Sequence, residues 1–147
     1  MGMNTAASDA MLLLVYNGTT WAGIGQNVTA GPDANLYLAW HTGDPGPSGN
    51  QTTNETGYTN YVRQPIARTT AGFTVTLNTG VSSTVQLVTG QSTPMSGGSA
   101  ANITYFSIGT ASAGAGQIIH SGTVTPPITI NTNVTPQLQA GTFVTQT

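Results

Sequence analysis

The sequence predicts a mainly β protein: an antiparallel β-sandwich, jelly-roll-like or barrel-like, with one short N-terminal helix. Three observations carry that expectation. About eight short runs alternate apolar and polar residues, separated by turn residues at the spacing of sandwich or barrel strands. The polar residues are mostly uncharged, with 27 Thr and 19 Gly, and Val, Ile, Tyr, Trp and Phe recur in the runs; Thr and these residues favour strands. At 147 residues the chain has the length of one core, so a single domain over 1–147 is expected.

The first element is the helix, within an N-terminal segment 1–17. Thr5 or Ser8 can cap it, Asp9 suits its first turn, and Ala10 to Tyr16 supply apolar residues. Asn17 and Gly18 tolerate the left-handed conformation that ends helices. A strand over Met11 to Tyr16 is the competing reading, because short apolar runs suit both.

Asn35 to His41 (NLYLAWH) is the strongest strand. Leu36, Leu38 and Trp40 share one face, Tyr37, Ala39 and His41 the other, and both faces are largely apolar, so the strand belongs inside a sheet. Residues 42–57 are rich in Gly, Pro, Asn and Ser and form a long loop suited to facing a partner. Tyr58 to Ala67 reads as an edge strand, because Pro65 removes a ladder donor. Phe73 to Asn78 and Thr84 to Val88 alternate cleanly around an Asn78-Thr79-Gly80 hairpin signal. A loop from Thr89 to Ala101 precedes a strand at Asn102 to Ile108. A small-residue turn over Gly109 to Gly116 then leads to Gln117 to Val124, with further strands at Ile128 to Ile130, Val134 to Leu138 and Thr142 to Thr145.

Charge narrows the function. Charged residues make up 4% of the chain, against about 25% in an average globular protein. Two arginines cannot supply the phosphate contacts of a nucleic-acid partner. Without cysteine there is no disulfide or thiolate metal site. No apolar run approaches the roughly 20 residues of a membrane span, and Met11 to Val15, preceded by Asp9 and no basic residue, is not a secretory signal. A net charge of −2 allows like copies and neutral partners to approach closely.

Candidate chemistry is sparse. His41, Asp44 and Ser48 lie close in sequence, but nothing beside them builds an oxyanion hole, and Asp44 better serves to hold the Pro45-Gly46-Pro47 turn. His41, Asp44 and Glu55 are too few for a convincing metal site, and His120 sits on a different strand. Gly114-Ala115-Gly116 lacks the rest of a dinucleotide motif. No cofactor is expected. Arg63 is expected to pair with Asp44 or Glu55, making these three the structural turn and ion-pair candidates.

The apolar helix at Ala10, the stretch Leu36 to Gly46 (LYLAWHTGDPG) and the stretch Asn54 to Arg63 (NETGYTNYVR) together resemble a family of small tailed-phage structural proteins. The resemblance continues through Thr104 to Gly109 (TYFSIG) and Pro136 to Gly141 (PQLQAG), and so covers nearly the whole chain. Members carry the labels tail-fibre protein or head decoration (cement) protein. The resemblance implies a virion component without known catalysis, although its members usually carry more charge than this chain.

On that basis the first expectation is a non-enzymatic decoration protein on the capsid surface. It would clamp neighbouring major capsid subunits through neutral surfaces, with the N-terminal segment and 42–57 as contacts, and act as a dimer or trimer with copies of itself. The alternative is a tail or tail-fibre protein binding host glycan, with Trp21, Trp40, Tyr58 and Tyr61 as the aromatics on which sugars would stack. An enzyme such as a cell-wall hydrolase would need paired carboxylates or a metal, and the supply is minimal.

Overall fold

The computed structural model describes residues 5–20, 34–77, 83–99 and 101–146. Among the described residues the fold is mainly β, with 42% strand and 10% helix, about twice the usual strand content of a globular domain. One helix, α1 (Thr5–Asn17), is followed by β1 (Asn35–His41), β2 (Gln64–Ala67), β3 (Phe73–Thr76), β4 (Ser83–Leu87) and β5 (Gln91–Ser92). Then come β6 (Ala101–Gly109), β7 (Ile118–Ile130), β8 (Gln137–Leu138) and β9 (Phe143–Gln146). Every pairing given a register is antiparallel. No sheet among the described residues closes into a barrel.

The chain divides into two compact units. One comprises the described residues within Met1–Asn35, Ala67–Gly90 and Gln139–Thr147. It holds α1 and a three-stranded sheet in the order β3-β4-β9. Leu12, Tyr16, Val85 and Leu87 are all buried, and the Tyr16 and Phe73 rings meet edge to face at 5.0 Å. Gly18 ends the helix in the left-handed conformation, with φ 61°, and the Thr19 N–H reaches back to the Leu13 carbonyl at 3.0 Å.

The helix start differs from the expectation. Because α1 begins at Thr5, Ser8 and Asp9 lie within it and the first turn holds no acidic residue. Asp9 is instead buried and accepts a hydrogen bond from the Ser83 hydroxyl on β4. The Asn78-Thr79-Gly80 turn lies outside the described residues, but the register Phe73↔Leu87 to Thr76↔Thr84 is that of neighbouring antiparallel strands.

The second unit comprises Leu36–Ile66 and Gln91–Leu138. Its main sheet has the order β2-β1-β6-β7, so β1 is internal, as its two apolar faces predict. Leu36, Leu38, Ala39, Trp40 and His41 are all buried. β7 forms one edge and β2, with Pro65, the other.

Three strands depart from the sequence expectation. Tyr58 to Ala67 is regular only over β2, because a turn brings the Tyr61 N–H to the Tyr58 carbonyl with Asn60 at φ 77°. The separate strands expected at Gln117 to Val124 and Ile128 to Ile130 are one strand, β7. There Val124 to Pro127 bulge opposite Thr104, and two prolines without N–H groups are tolerated at such a bulge. The loop from Thr89 to Ala101 contains β5, which pairs with β8 over two residues.

Candidate functional site

The loop 42–57 is irregular, as its composition predicts, but it is not an excursion from the core. Asp44 accepts a hydrogen bond from the Gly46 N–H at 2.8 Å and so holds the turn that reverses the chain. Asn54 donates to the Asp44 carbonyl at 2.9 Å. The Thr42 N–H reaches the Asn54 carbonyl and the Thr56 N–H the Trp40 carbonyl, which zips the returning strand of the loop against the end of β1. Glu55 is thereby placed opposite His41.

Gln51 anchors the tip of this loop. It is fully buried; its amide donates to the Tyr37 carbonyl at 3.2 Å and accepts from the Ala111 N–H at 2.9 Å. Its backbone N–H bonds the Gly116 carbonyl at 2.8 Å. A Cβ at Gly116 would lie 2.1 Å from the Gln51 side-chain oxygen, so only glycine permits this approach. The turn after β6 is therefore held by a side chain from a distant loop.

Arg63 and Glu55 complete the arrangement. The guanidinium binds the carboxylate twice, Nε to Oε1 at 2.6 Å and Nη2 to Oε2 at 2.7 Å. It also donates to the carbonyls of Ala111 at 2.9 Å and Gly114 at 2.8 Å. The Arg63 side chain is only 3% exposed and that of Glu55 16%. The Tyr61 hydroxyl donates to Glu55 Oε1 at 2.8 Å and accepts from the Trp40 N–H at 3.2 Å. Hydrogen bonding to Glu55 raises the Arg63 pKa above its ordinary value, and burial pushes the Tyr61 phenol up. Both groups keep their ordinary protonation, so the cluster is a fixed, net-neutral pair.

Beside it opens a shallow cleft of about 230 Å³, lined by Glu55, Tyr61, Val62, Arg63, Ser112, Ala113 and Gly114. Val62 is 55% exposed. The cleft is the place where charge, an apolar side chain and a rigid backbone turn meet at the surface.

His41 takes no part in a triad. Its Nδ1 lies 2.8 Å from the Thr53 carbonyl and its Nε2 2.8 Å from the Ser107 hydroxyl, with the ring wholly buried. Burial lowers its pKa. Asp44 and Ser48 are exposed, and Asp44 binds the Gly46 N–H while Glu55 binds Arg63 and Tyr61, so neither carboxylate bonds the His41 ring. No cluster of metal-ligating side chains occurs among the described residues.

The profile of the podophage GP4 fiber I protein gp80 family matches residues 6–146. The chain belongs to that family. It is a phage structural protein and a component of the virion, in keeping with the tailed-phage resemblance of its motifs. No curated protein matches the chain.

Membership changes the weight of the aromatics. Trp40 is 0% and Tyr58 3% exposed, so both are core side chains and offer no face to a sugar. The Trp40 indole N–H and the Tyr58 hydroxyl both donate to Thr93 Oγ1, at 3.0 and 2.8 Å. Tyr61 is half-buried and lines the cleft, while Trp21 lies outside the described residues. Sequence reasoning missed Gln51 and Thr93, whose roles depend on neighbours about 60 and 50 residues away in the chain. The signal for Gln51 was indirect: glycines at 109 and 116 flank a turn that needs an inserted partner.

Proposed function

We propose that this member of the family is a non-catalytic tail-fibre component, not a head decoration, and that it contributes to contact with host glycan. The family match over residues 6–146 carries the reading, since the family takes its description from a fibre protein. The physical character of the chain supports it. With six charged side chains, association with neighbouring tail subunits and copies of itself rests on hydrogen bonds and apolar contact. Such interfaces use many modest contacts, and repetition in an assembly multiplies them.

Labelling intact particles with gold-conjugated antibody against the chain tests the location. Label along the tail or its fibres is the expected result. Label confined to the head would overturn the reading in favour of a cement protein bound to the major capsid protein.

A further inference from the structure

We infer that two copies of this chain pair edge to edge through β7, antiparallel and two-fold symmetric, with Gly122 on the axis. The inference rests on the fibre reading for the presence of several copies on one particle, and adds the surface through which they meet. β7 spans 13 residues, whereas the other strands at sheet edges among the described residues span four or fewer. Its one neighbour in the sheet is β6, so alternate N–H and C=O groups along its other side meet no strand among the described residues. Edge strands are commonly protected by lysine, proline, bulges or shortness. β2 is short and has Pro65, while β7 contains no Asp, Glu, Lys or Arg.

The open stretch is bounded at both ends. Before β7, Asn50 bridges Gln117 and the Gln51 N–H bonds the Gly116 carbonyl, on the side away from Thr110, whose N–H takes the Gln117 carbonyl. The loop tip therefore caps the edge where the strand begins. Ile119 is an extra residue, since Gly109↔Ile118 is followed by Ile108↔His120. At the far end Val124 to Pro127 bulge, and two prolines have no N–H to offer. Between these irregularities lie His120 to Thr123, in regular register with Ile108 to Tyr105, and Val124, where the second bulge starts. Gly122 is the middle of this stretch.

Symmetry selects the occupant and the register. Outward-pointing backbone groups alternate along a strand, so those of two identical antiparallel edges meet only when the two-fold axis passes through a residue. With the axis on Gly122, Ser121 faces Thr123 of the second copy and His120 faces its Val124. Ser121 and Thr123 are exposed, and hydroxyl pairs are favourable across strands. No charge meets its like. The capped end of each edge falls beside the Pro126-Pro127 bulge of the other copy, where no ladder donor is lost. A Cβ at Gly122 would lie 2.7 Å from Phe106 Cε1, so the tip of that ring covers the glycine. The two rings are thereby brought to the axis, adding apolar contact. Such a pair forms about four to six backbone hydrogen bonds, a modest contact that repetition along a fibre strengthens.

Sedimentation velocity of the full chain over a concentration series tests the pairing, and a dimer is expected. Two double variants at the exposed positions test its register. Ser121→Lys with Thr123→Lys sets like charges opposite each other across the axis and should weaken dimerisation about tenfold or more. Ser121→Lys with Thr123→Glu sets opposite charges face to face and should restore it to within about threefold of wild type. A monomeric wild type, a first variant that dimerises as the wild type does, or a second variant that stays monomeric would each overturn the inference. If a variant loses the wild-type urea midpoint, amide exchange of the wild type decides. Protection at residues 120–124 is expected to rise with protein concentration; protection independent of concentration, or gained only on virions, would overturn the inference. Particle labelling keeps the two readings apart. Tail label with a monomeric chain removes this pairing and leaves the fibre assignment standing, whereas head label with a dimer does the reverse.

Discussion

The two arginines, one in each compact unit, bind backbone carbonyls in different company. Arg68 donates to the carbonyls of Val15 and Leu14 at 2.8 and 2.9 Å, the last turn of α1, where the partial negative charge of the helix end receives a cation. Arg63 donates to the carbonyls of Ala111 and Gly114, in an irregular turn without such a field, and has Glu55 as its counter-ion. The first unit therefore fixes its cation with a helix terminus and the second with a carboxylate. Arg68 is thus held by backbone alone in the bonds to α1, whereas Arg63 has a carboxylate as well as backbone.

Breaking the pair should cost most. Arg63→Met leaves Glu55 without its partner beside two orphaned carbonyls, and a loss of about 3–5 kcal/mol in urea unfolding is expected. Gly116→Ala is next, at about 2 kcal/mol, because the new Cβ must displace Gln51. The same change in a Gln51→Ala background should cost less, which a double-mutant cycle measures. Arg68→Met should cost about 1 kcal/mol, since the helix carbonyls regain water at the surface. An Arg68 effect larger than that of Arg63 would invert the comparison.

The smallest expected effect is that of pH. Burial lowers the pKa of both His41 and His120, and at His41 the Thr53 carbonyl and Glu55 oppose the shift while Arg63 adds to it. Above the unfolded value of about 6.5 both rings are neutral in either state and the full stability is present. As pH falls below that value the unfolded chain takes up protons first, so stability declines until the lowered folded pKa is passed. The urea midpoint at about pH 5 should lie below that at about pH 7. Both histidines belong to the second unit, so the acid-sensitive part is the one that carries the cleft. Equal midpoints would show that neither ring is held neutral.

Local pattern made part of this legible. β1 announces itself because apolar residues occupy both of its faces, and Gly18 ends α1 because its backbone must turn left-handed. Of the two partners expected for Arg63, Asp44 and Glu55, the structure gives it Glu55. What stayed hidden depends on tertiary approach. Gln51 reads as an ordinary loop amide until two glycines from another turn close around it. Tyr61 reads as a strand residue until the Asn60 turn aims its hydroxyl at Glu55. Trp40 and Tyr58 look like candidates for stacking on sugars until Thr93, about 50 and 35 residues on, satisfies their polar tips and lets both rings be buried. β5, two residues long, is too short to leave a periodic trace, and of the strand expected at Val134 to Leu138 only Gln137–Leu138 pairs, as β8.

The most direct test of contact through neutral surfaces is the amount of this protein retained on purified virions after washing in dilute buffer and in about 1 M NaCl, where charges are screened beyond about 3 Å. Equal retention is expected. A steep loss in high salt would mean that the few charges hold the protein in place, and would contradict the account.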